Sequence, residues 1–285
     1  MASIQIPEDL PVFQQDGDML VPTRLAVGPW YEGTQHGSSM LLLAALAAEK
    51  APSDSPRQLT RLTVDMMKAA PMAPIQLVTQ VRKGGRYMDV LDISIRSNGD
   101  EFVRASALYF RVDDVPVPER VNYSGPVPQL PPPLTKPLFE HVSNQEGFHH
   151  AIDVRVDVET KPAVMWFRMK QPVVDDLPIT PLLRVALAAD WTYSIPNISN
   201  RILTGESFAS QPFFGINPDT TINLHRPAQG EWIGIQTTPA FDAYGAGTAM
   251  GKVFDQNGII GFVNQSILIR GRGAAPMQVK QSAKK

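Results

Sequence analysis

The second half of this chain repeats the first, and no other feature of the sequence constrains the fold as strongly. Tyr87–Arg111 aligns with Ala246–Arg270 without a gap, so that the pair Asn98-Gly99 falls on Asn257-Gly258. A repeat this long exceeds the ~20–50 residues of a solenoid unit. The sequence therefore predicts one small domain that has been duplicated and fused, with a pseudo-symmetric seam between the two copies.

Each half contains one segment that is apolar on all sides. Ser38–Glu49 has no polar stripe, and a helix of this kind must be buried on most of its sides. Its counterpart in the second half runs from about Thr180 to Trp191. We therefore predict one central helix in each half.

Strand-like segments surround both predicted helices. Apolar and polar residues alternate there at period two, as in half-buried strands. The clearest segments are Leu62/Val64/Met66, Ile75/Leu77/Thr79/Val81, Leu91/Ile93/Ile95 and Ile152/Val154/Val156/Val158. One buried helix wrapped by a curved antiparallel sheet is the hotdog arrangement. The predicted fold is α+β, a double hotdog of two tandem repeats, each with a curved antiparallel sheet around one central helix. A pair of β-sandwiches is the alternative, and the lone apolar helix of each half argues against it.

A proline-rich stretch separates the halves. Pro126–Pro137 holds six of the 26 prolines, so it favours an extended, stiff conformation. We predict an N-terminal hotdog domain over residues 1–120, a Pro-rich linker over 121–145 and a C-terminal hotdog domain over 146–285. A ligand for a proline-binding module is the alternative interpretation of this stretch.

The composition excludes several classes of function. The chain has 285 residues, of which 43% are hydrophobic, enough to bury a core. A net charge of −2 gives no electrostatic reason to expect nucleic acid or a membrane surface as partner. The absence of cysteine excludes disulfides and a catalytic thiol. The N-terminus does not resemble a signal peptide and the run Met40–Ala48 is too short to span a bilayer, so we expect a cytoplasmic protein.

Two polar residues interrupt apolar patterns in the second half. Gln265 is the one polar member of a strand face that otherwise reads Ile259, Gly261, Val263, Ile267 and Ile269. A buried amide needs a hydrogen-bond partner or a function, and a satisfied core glutamine is the simpler alternative. Asp190 ends the second apolar helix, where the helix dipole and apolar surroundings both disfavour a charged carboxylate. This position favours a general base, with an exposed acid at a frayed helix end as the alternative.

Other catalytic signals are missing from the sequence. No serine lies in a nucleophile elbow, and no Gly-rich loop suits a phosphate. The histidines lack metal-ligand spacing, so we predict no metal and no cofactor; they are residues 36, 141, 149, 150 and 225.

Several motifs match one family. The stretch Asn217–Pro227 ends in His225-Arg226-Pro227, and Glu231-Trp232 and Gln256-Asn257-Gly258 follow it. With these motifs the chain resembles the acyl-CoA thioesterase II family of double-hotdog enzymes, over roughly Trp30–Arg111 and Arg184–Arg270.

The resemblance implies a set of site residues. The family uses an Asp, a Thr and a Gln to activate water, which fall here on Asp190, Asn217 and Gln265. Asn217 departs from the family Thr, and Thr220 or Thr221 is a candidate substitute. His36-Gly37-Ser38 stands where the family tends to have paired glycines. Backbone N–H groups near Gly37 and Ser38 would bind the thioester oxygen, with Thr220 as a further substrate contact.

The implied function is hydrolysis of a fatty acyl-CoA by general-base activation of water. The expected partners are the acyl-CoA substrate and further copies of the chain in a homo-oligomer. We expect one site per chain, since the first half has Glu49 and Ser106 where the second has Asp190 and Gln265. A non-catalytic acyl-CoA or acyl-carrier binding protein is the first alternative. A hotdog hydratase is the second, and Gly215 and Thr220 lack the Asp and His that its signature needs.

Overall fold

The computed structural model describes residues 4–29, 31–51, 56–118, 126–136, 138, 139, 142, 144–206, 212–242 and 244–271. Within these ranges the chain forms one sheet of 13 strands that packs against helices. The strands are β1 Phe13–Asp16, β2 Met19–Pro22, β3 Arg57–Met66, β4 Ile75–Lys83, β5 Met88–Ser97, β6 Asp100–Arg111, β7 Ile152–Asp157, β8 Val164–Met169, β9 Phe213–Ile216, β10 Asp219–Leu224, β11 Ile233–Phe241, β12 Ala246–Asp255 and β13 Gly258–Gly271. The helices are α1 Gly37–Glu49, α2 Pro181–Ala189 and α3 Ser194–Thr204.

The sheet joins the two halves of the chain edge to edge. Its strand order is β1-β2-β4-β5-β6-β3-β10-β13-β12-β11-β8-β7, and β9 pairs separately with β13. The halves meet where β3 pairs antiparallel with β10, with Thr63 opposite Thr221. The Thr221 hydroxyl donates to the Thr63 hydroxyl over 3.2 Å. A tight turn after Asp16 connects β1 to β2, and Gly17 has the positive φ (58°) that such a turn requires.

The two central helices pack against each other, and both also contact strands of the sheet. Every residue of α1 from Ser38 to Ala48 is buried, as the absence of a polar stripe predicts. Helix α2 begins at Pro181 and ends at Ala189. Its N-cap residue is Thr180, whose hydroxyl accepts a hydrogen bond from the Leu183 backbone N–H. The predicted continuation to Trp191 is wrong, because the chain turns after Asp190 and starts α3. The prediction of a single helix in the second half is therefore incomplete.

The alignment of the two halves needs a correction of one residue. Asn98-Gly99 forms the turn between β5 and β6, whereas Gln256-Asn257 forms the turn between β12 and β13. The sequence alignment equates Gly258 with Gly99. In the structure, however, Gly258 is the first residue of β13 and pairs with Asp255. A shift of one residue moves every side chain to the other face of a sheet.

The correction changes the counterpart of Gln265. On β6 the buried residues are Val103, Ala105 and Ala107, while Ser106 is half-buried on the opposite face. Ala107, not Ser106, therefore occupies the place that corresponds to Gln265. The predicted pairing of Ser106 with Gln265 is wrong for this reason.

The described part of the proline-rich segment is not only a spacer. Residues 126–134 form neither helix nor strand, and Leu138 and Phe139 pack against the main hydrophobic core. A 3-10 helix, Phe148–Ala151, then leads into β7. Among the described residues, no helix is both long and apolar enough to cross a membrane.

Candidate active site

Asp190 lies where α2 ends and α1 begins. It caps the C-terminus of α2, and its backbone N–H donates to the carbonyl of Ala188. Only 8% of the residue is exposed, so the alternative of an exposed acid at a frayed end is wrong. Its Oδ2 accepts a hydrogen bond of 2.9 Å from Ser38 Oγ in the first turn of α1.

Gly37 makes room for this carboxylate at the start of α1. A Cβ atom added to Gly37 would lie 2.7 Å from Asp190 Oδ1 and 3.0 Å from Oδ2. A larger residue would therefore push the carboxylate away from the helix. The positive end of the α1 dipole faces the carboxylate and favours its charge, which opposes the effect of the α2 C-terminus.

Asn217 completes the contacts of the carboxylate. It follows β9, and its Nδ2 donates to Asp190 Oδ1 over 3.1 Å. The structure thus brings Asp190, Asn217, Gly37 and Ser38 together, although they come from opposite halves of the sequence. Asn217 occupies the position at which the family resemblance implies a threonine.

Gln265 lies behind this group and does not contact the Asp190 carboxylate. Its Nε2 is within 3.1 Å of the Ala189 and Asp190 carbonyl oxygens and 3.0 Å of Thr220 Oγ1. Its Oε1 accepts from the Tyr193 backbone N–H over 2.8 Å. The amide therefore holds the turn that carries Asp190. Thr220 is fully buried beside Gln265. The contact between Thr220 and substrate stays a prediction.

His36 is a member of the site that the sequence did not identify as functional. It precedes α1 as the N-cap residue, and its Nδ1 accepts from the Ser38 backbone N–H over 3.0 Å. The same Nδ1 lies 3.5 Å from Asp190 Oδ2. Burial lowers the pKa of His36 below its ordinary value, although the charge of Asp190 acts in the opposite direction.

A cavity of about 550 Å³ opens beside Asp190. Asp190, Asn217 and His36 are among the residues that line it. Phe139, Phe148, Trp191 and Ile198 contribute apolar walls. Trp191 follows Asp190 directly in the sequence, but it lines the cavity only because the chain turns after α2, and no sequence pattern indicates this turn.

The opposite ends of α1 and α2 form a similar arrangement with fewer hydrogen bonds to the carboxylate. Glu49 ends α1, and its Oε2 accepts a hydrogen bond of 2.8 Å from the N-cap hydroxyl of Thr180 at the start of α2. Burial raises the pKa of Glu49 above its ordinary value, and the Thr180 hydrogen bond only partly offsets this. A second cavity of about 890 Å³ lies there, lined by Glu49, Tyr109 and Leu224 among others.

The Asp190 site has the groups that activation of water requires. A buried carboxylate beside an apolar cavity can accept a proton, and an amide next to it can orient the water. Among the described residues, no group of three His, Asp or Glu side chains is arranged to hold a metal ion. His141 lies outside the described residues.

Two family profiles match the two halves of the chain. A family profile described as the acyl-CoA thioesterase C-terminal domain matches residues 118–269, and one described as the acyl-CoA thioesterase N-terminal domain matches residues 26–110. A search of curated proteins finds no match.

Solved structures show the same fold at low sequence identity. Acyl-CoA thioesterase II TesB2 from Mycobacterium marinum is 17% identical, with a TM-score of 0.59 over 92% of this chain and 96% of that one. The tesB protein of Mycobacterium avium subspecies paratuberculosis is 17% identical, with a TM-score of 0.61 over 90% and 96% of the two chains. A hot dog fold protein from Alicyclobacillus acidocaldarius is 15% identical, with a TM-score of 0.61 over 91% and 96%.

The fold and the family profiles together define a hotdog thioester hydrolase. The C-terminal profile alone covers more than half of the sequence. The chain belongs to the acyl-CoA thioesterase family.

Proposed function

We propose that this enzyme hydrolyses a fatty acyl-CoA to the free acid and CoA, with Asp190 as the general base. The observation that carries the proposal is the position of the Asp190 carboxylate, which is buried beside a cavity and hydrogen-bonded to both Ser38 and Asn217. The family supplies the acyl-CoA thioester as substrate class. The apolar walls at Phe139, Phe148, Trp191 and Ile198 suit an acyl chain.

In the proposed reaction Asp190 takes a proton from a water that Asn217 orients. The water oxygen attacks the thioester carbonyl, the C–S bond breaks, and the proton passes from Asp190 to the departing sulfur. The Ser38 backbone N–H is already bonded to His36, so it is not free for the thioester oxygen. The Gly37 backbone N–H has no acceptor among the described residues, and we assign it to that oxygen. Gln265 acts indirectly, since it positions the backbone of Asp190 and Tyr193.

We further propose that the chain is a double hotdog with one active site. Its halves would be residues 1–120 and 146–285, joined by the segment 121–145. The pairing of β3 with β10 and the opposed helices α1 and α2 support this division. The single site would lie at the seam, since Asp190 comes from the second half and Gly37 and Ser38 from the first.

Release of free thiol from a panel of acyl-CoA substrates tests the function. We expect turnover with acyl chains that fit the cavity. Asp190→Asn should keep the fold and lower kcat by about 10²–10⁴-fold, the usual contribution of a general acid–base group. Near-normal kcat in a folded Asp190→Asn protein would eliminate Asp190 as the base, and no thiol release from any acyl-CoA would overturn the substrate class.

A further inference from the structure

We propose that His36 is a second catalytic residue, a neutral imidazole whose Nε2–H donates a hydrogen bond to the thioester carbonyl oxygen. This inference rests on the proposed function of the Asp190 site and adds an oxyanion-stabilising group to it. It depends on three properties of the His36 ring: which nitrogen carries the proton, how the ring is held, and where its free edge lies.

The proton position follows from the helix cap. Nδ1 accepts the Ser38 backbone N–H, so Nδ1 carries no proton and the proton of the neutral ring is on Nε2. Burial also favours the neutral ring, because it lowers the pKa of His36. His36 is thus a hydrogen-bond donor through Nε2 and not an imidazolium paired with Asp190.

The ring is fixed by contacts on aromatic neighbours. His36 stacks on Phe148 with ring centroids 4.9 Å apart and planes 18° apart. It also stacks on Trp191 at 5.3 Å and 25°. Its backbone N–H donates to the Ala26 carbonyl over 2.8 Å. A donor held this firmly needs no reorganisation when charge develops in the transition state.

The free edge of the ring belongs to the active-site cavity. His36 is one of the residues that line this cavity, and 12% of its side chain is exposed. None of the described residues accepts a hydrogen bond from Nε2. Since Nδ1 is 3.5 Å from Asp190 Oδ2, a carbonyl bound at Nε2 lies close to a water activated by Asp190. A neutral imidazole at a helix N-terminus is known to polarise a substrate carbonyl in this way.

The assigned step leaves the His36 proton in place. When water attacks the carbonyl carbon, the π electrons move to the carbonyl oxygen, which then carries negative charge and accepts a stronger hydrogen bond from Nε2–H. As the oxygen returns its electrons, the C–S bond breaks and the sulfur takes the proton that Asp190 removed from water. The products are the carboxylic acid and the thiol, and His36 ends the cycle unchanged.

Two substitutions separate this role from helix capping. His36→Asn keeps a side-chain acceptor that can cap α1 but removes the distal donor. His36→Gln keeps an amide N–H at about the distance of Nε2. We expect His36→Asn to fold normally by circular dichroism and to lose about 10²–10³-fold in kcat with little change in KM. His36→Gln should recover part of that loss, and His225→Asn, at an exposed position away from this cavity, should retain normal kcat.

The vibrational frequency of the bound thioester carbonyl tests the role of His36 independently of the role of Asp190. Acyl-CoA bound to Asp190→Asn should show a thioester C=O stretch shifted to lower frequency than in water, and the shift should shrink in the Asp190→Asn/His36→Asn double variant. Normal kcat in folded His36→Asn, or an unchanged C=O stretch in the double variant, would overturn the role of His36. Normal kcat in Asp190→Asn would instead overturn the proposed base and leave the His36 comparison valid.

Discussion

At the scale of single residues, the site is held by side chains that never touch the cavity. Gln265 is 1% exposed, and its amide bonds the Ala189 and Asp190 carbonyls and the Tyr193 N–H. These bonds fix the turn between α2 and α3. Gln265 on β13 thus fixes the backbone of Asp190, and the Asp190 carboxylate is held next to the start of α1.

Removing this support should impair both stability and turnover. Gln265→Ala leaves the Tyr193 N–H and the Thr220 hydroxyl without a partner, and each unsatisfied buried group costs about 1–3 kcal/mol. We expect a lower midpoint of urea unfolding together with reduced kcat. Ser106→Ala is the control, since Ser106 is half-buried on the opposite sheet face and should change stability by less than about 0.5 kcal/mol. Equal effects of the two substitutions would contradict this assignment.

The sequence revealed Asp190 and Gln265 because each interrupts an apolar pattern, but it did not reveal His36. His36 follows a polar stretch, so no pattern is interrupted there. Its proposed function depends on Asp190, and the Ser38–Asp190 hydrogen bond that joins their segments spans 152 positions of the chain. Contacts this distant in sequence cannot be predicted from local periodicity.

At the scale of elements, α1 was predictable and β8 was not. The unbroken apolar run Met40–Ala48, which is buried together with Ser38 and Ser39, has few alternatives to a central helix. Strand β8 is buried on both faces, so Val164–Phe167 shows no alternation that would indicate a strand. Helix α3 contains Pro196 and several Asn and Ser residues, which weaken its helical signal.

The His225-Arg226-Pro227 motif stabilises the β12–β13 hairpin through the side chain of Arg226. Asp255 is fully buried at the end of β12, and both its oxygens accept hydrogen bonds from Arg226. It also accepts from the Gln229 and Asn257 backbone N–H groups. Burial alone would raise the pKa of Asp255, but these hydrogen bonds outweigh burial and lower it below its ordinary value.

The lowered pKa predicts a dependence of stability on pH. A carboxylate whose pKa falls on folding adds stability that is complete above its unfolded pKa of about 3.9 and is lost as pH falls towards the folded pKa. Asp255→Asn should therefore be less stable than wild type at pH 7, by up to about 3–5 kcal/mol, with the difference shrinking below about pH 4. Urea unfolding at a series of pH values measures it. Asp92→Asn, which breaks the exposed Arg82 pair, should cost at most about 1 kcal/mol, and a pH-independent Asp255 effect would refute the assignment.

At the scale of the whole molecule, the pair of central helices, α1 and α2, has a carboxylate at each of its two ends. Asp190 meets the start of α1 through Ser38, and Glu49 meets the start of α2 through Thr180. The two ends differ in the amide side chains that surround the carboxylate. The place of Gln265 is taken by Ala107 in the first half, which has no polar side chain, and Glu49 has no amide partner like Asn217 among its hydrogen bonds within the described ranges.

This asymmetry predicts that one end carries the reaction. Glu49→Ala should leave kcat for acyl-CoA hydrolysis close to that of wild type, since Glu49 lacks a group to orient water. Asp190→Ala should lower kcat by about 10²–10⁴-fold. The two substitutions are matched, because each removes a carboxylate that ends a central helix and accepts from a hydroxyl of the other helix start. Both proteins must first show the unfolding midpoint of a folded chain. Equal losses of kcat would mean that both ends are active and that the single site at the seam is wrong.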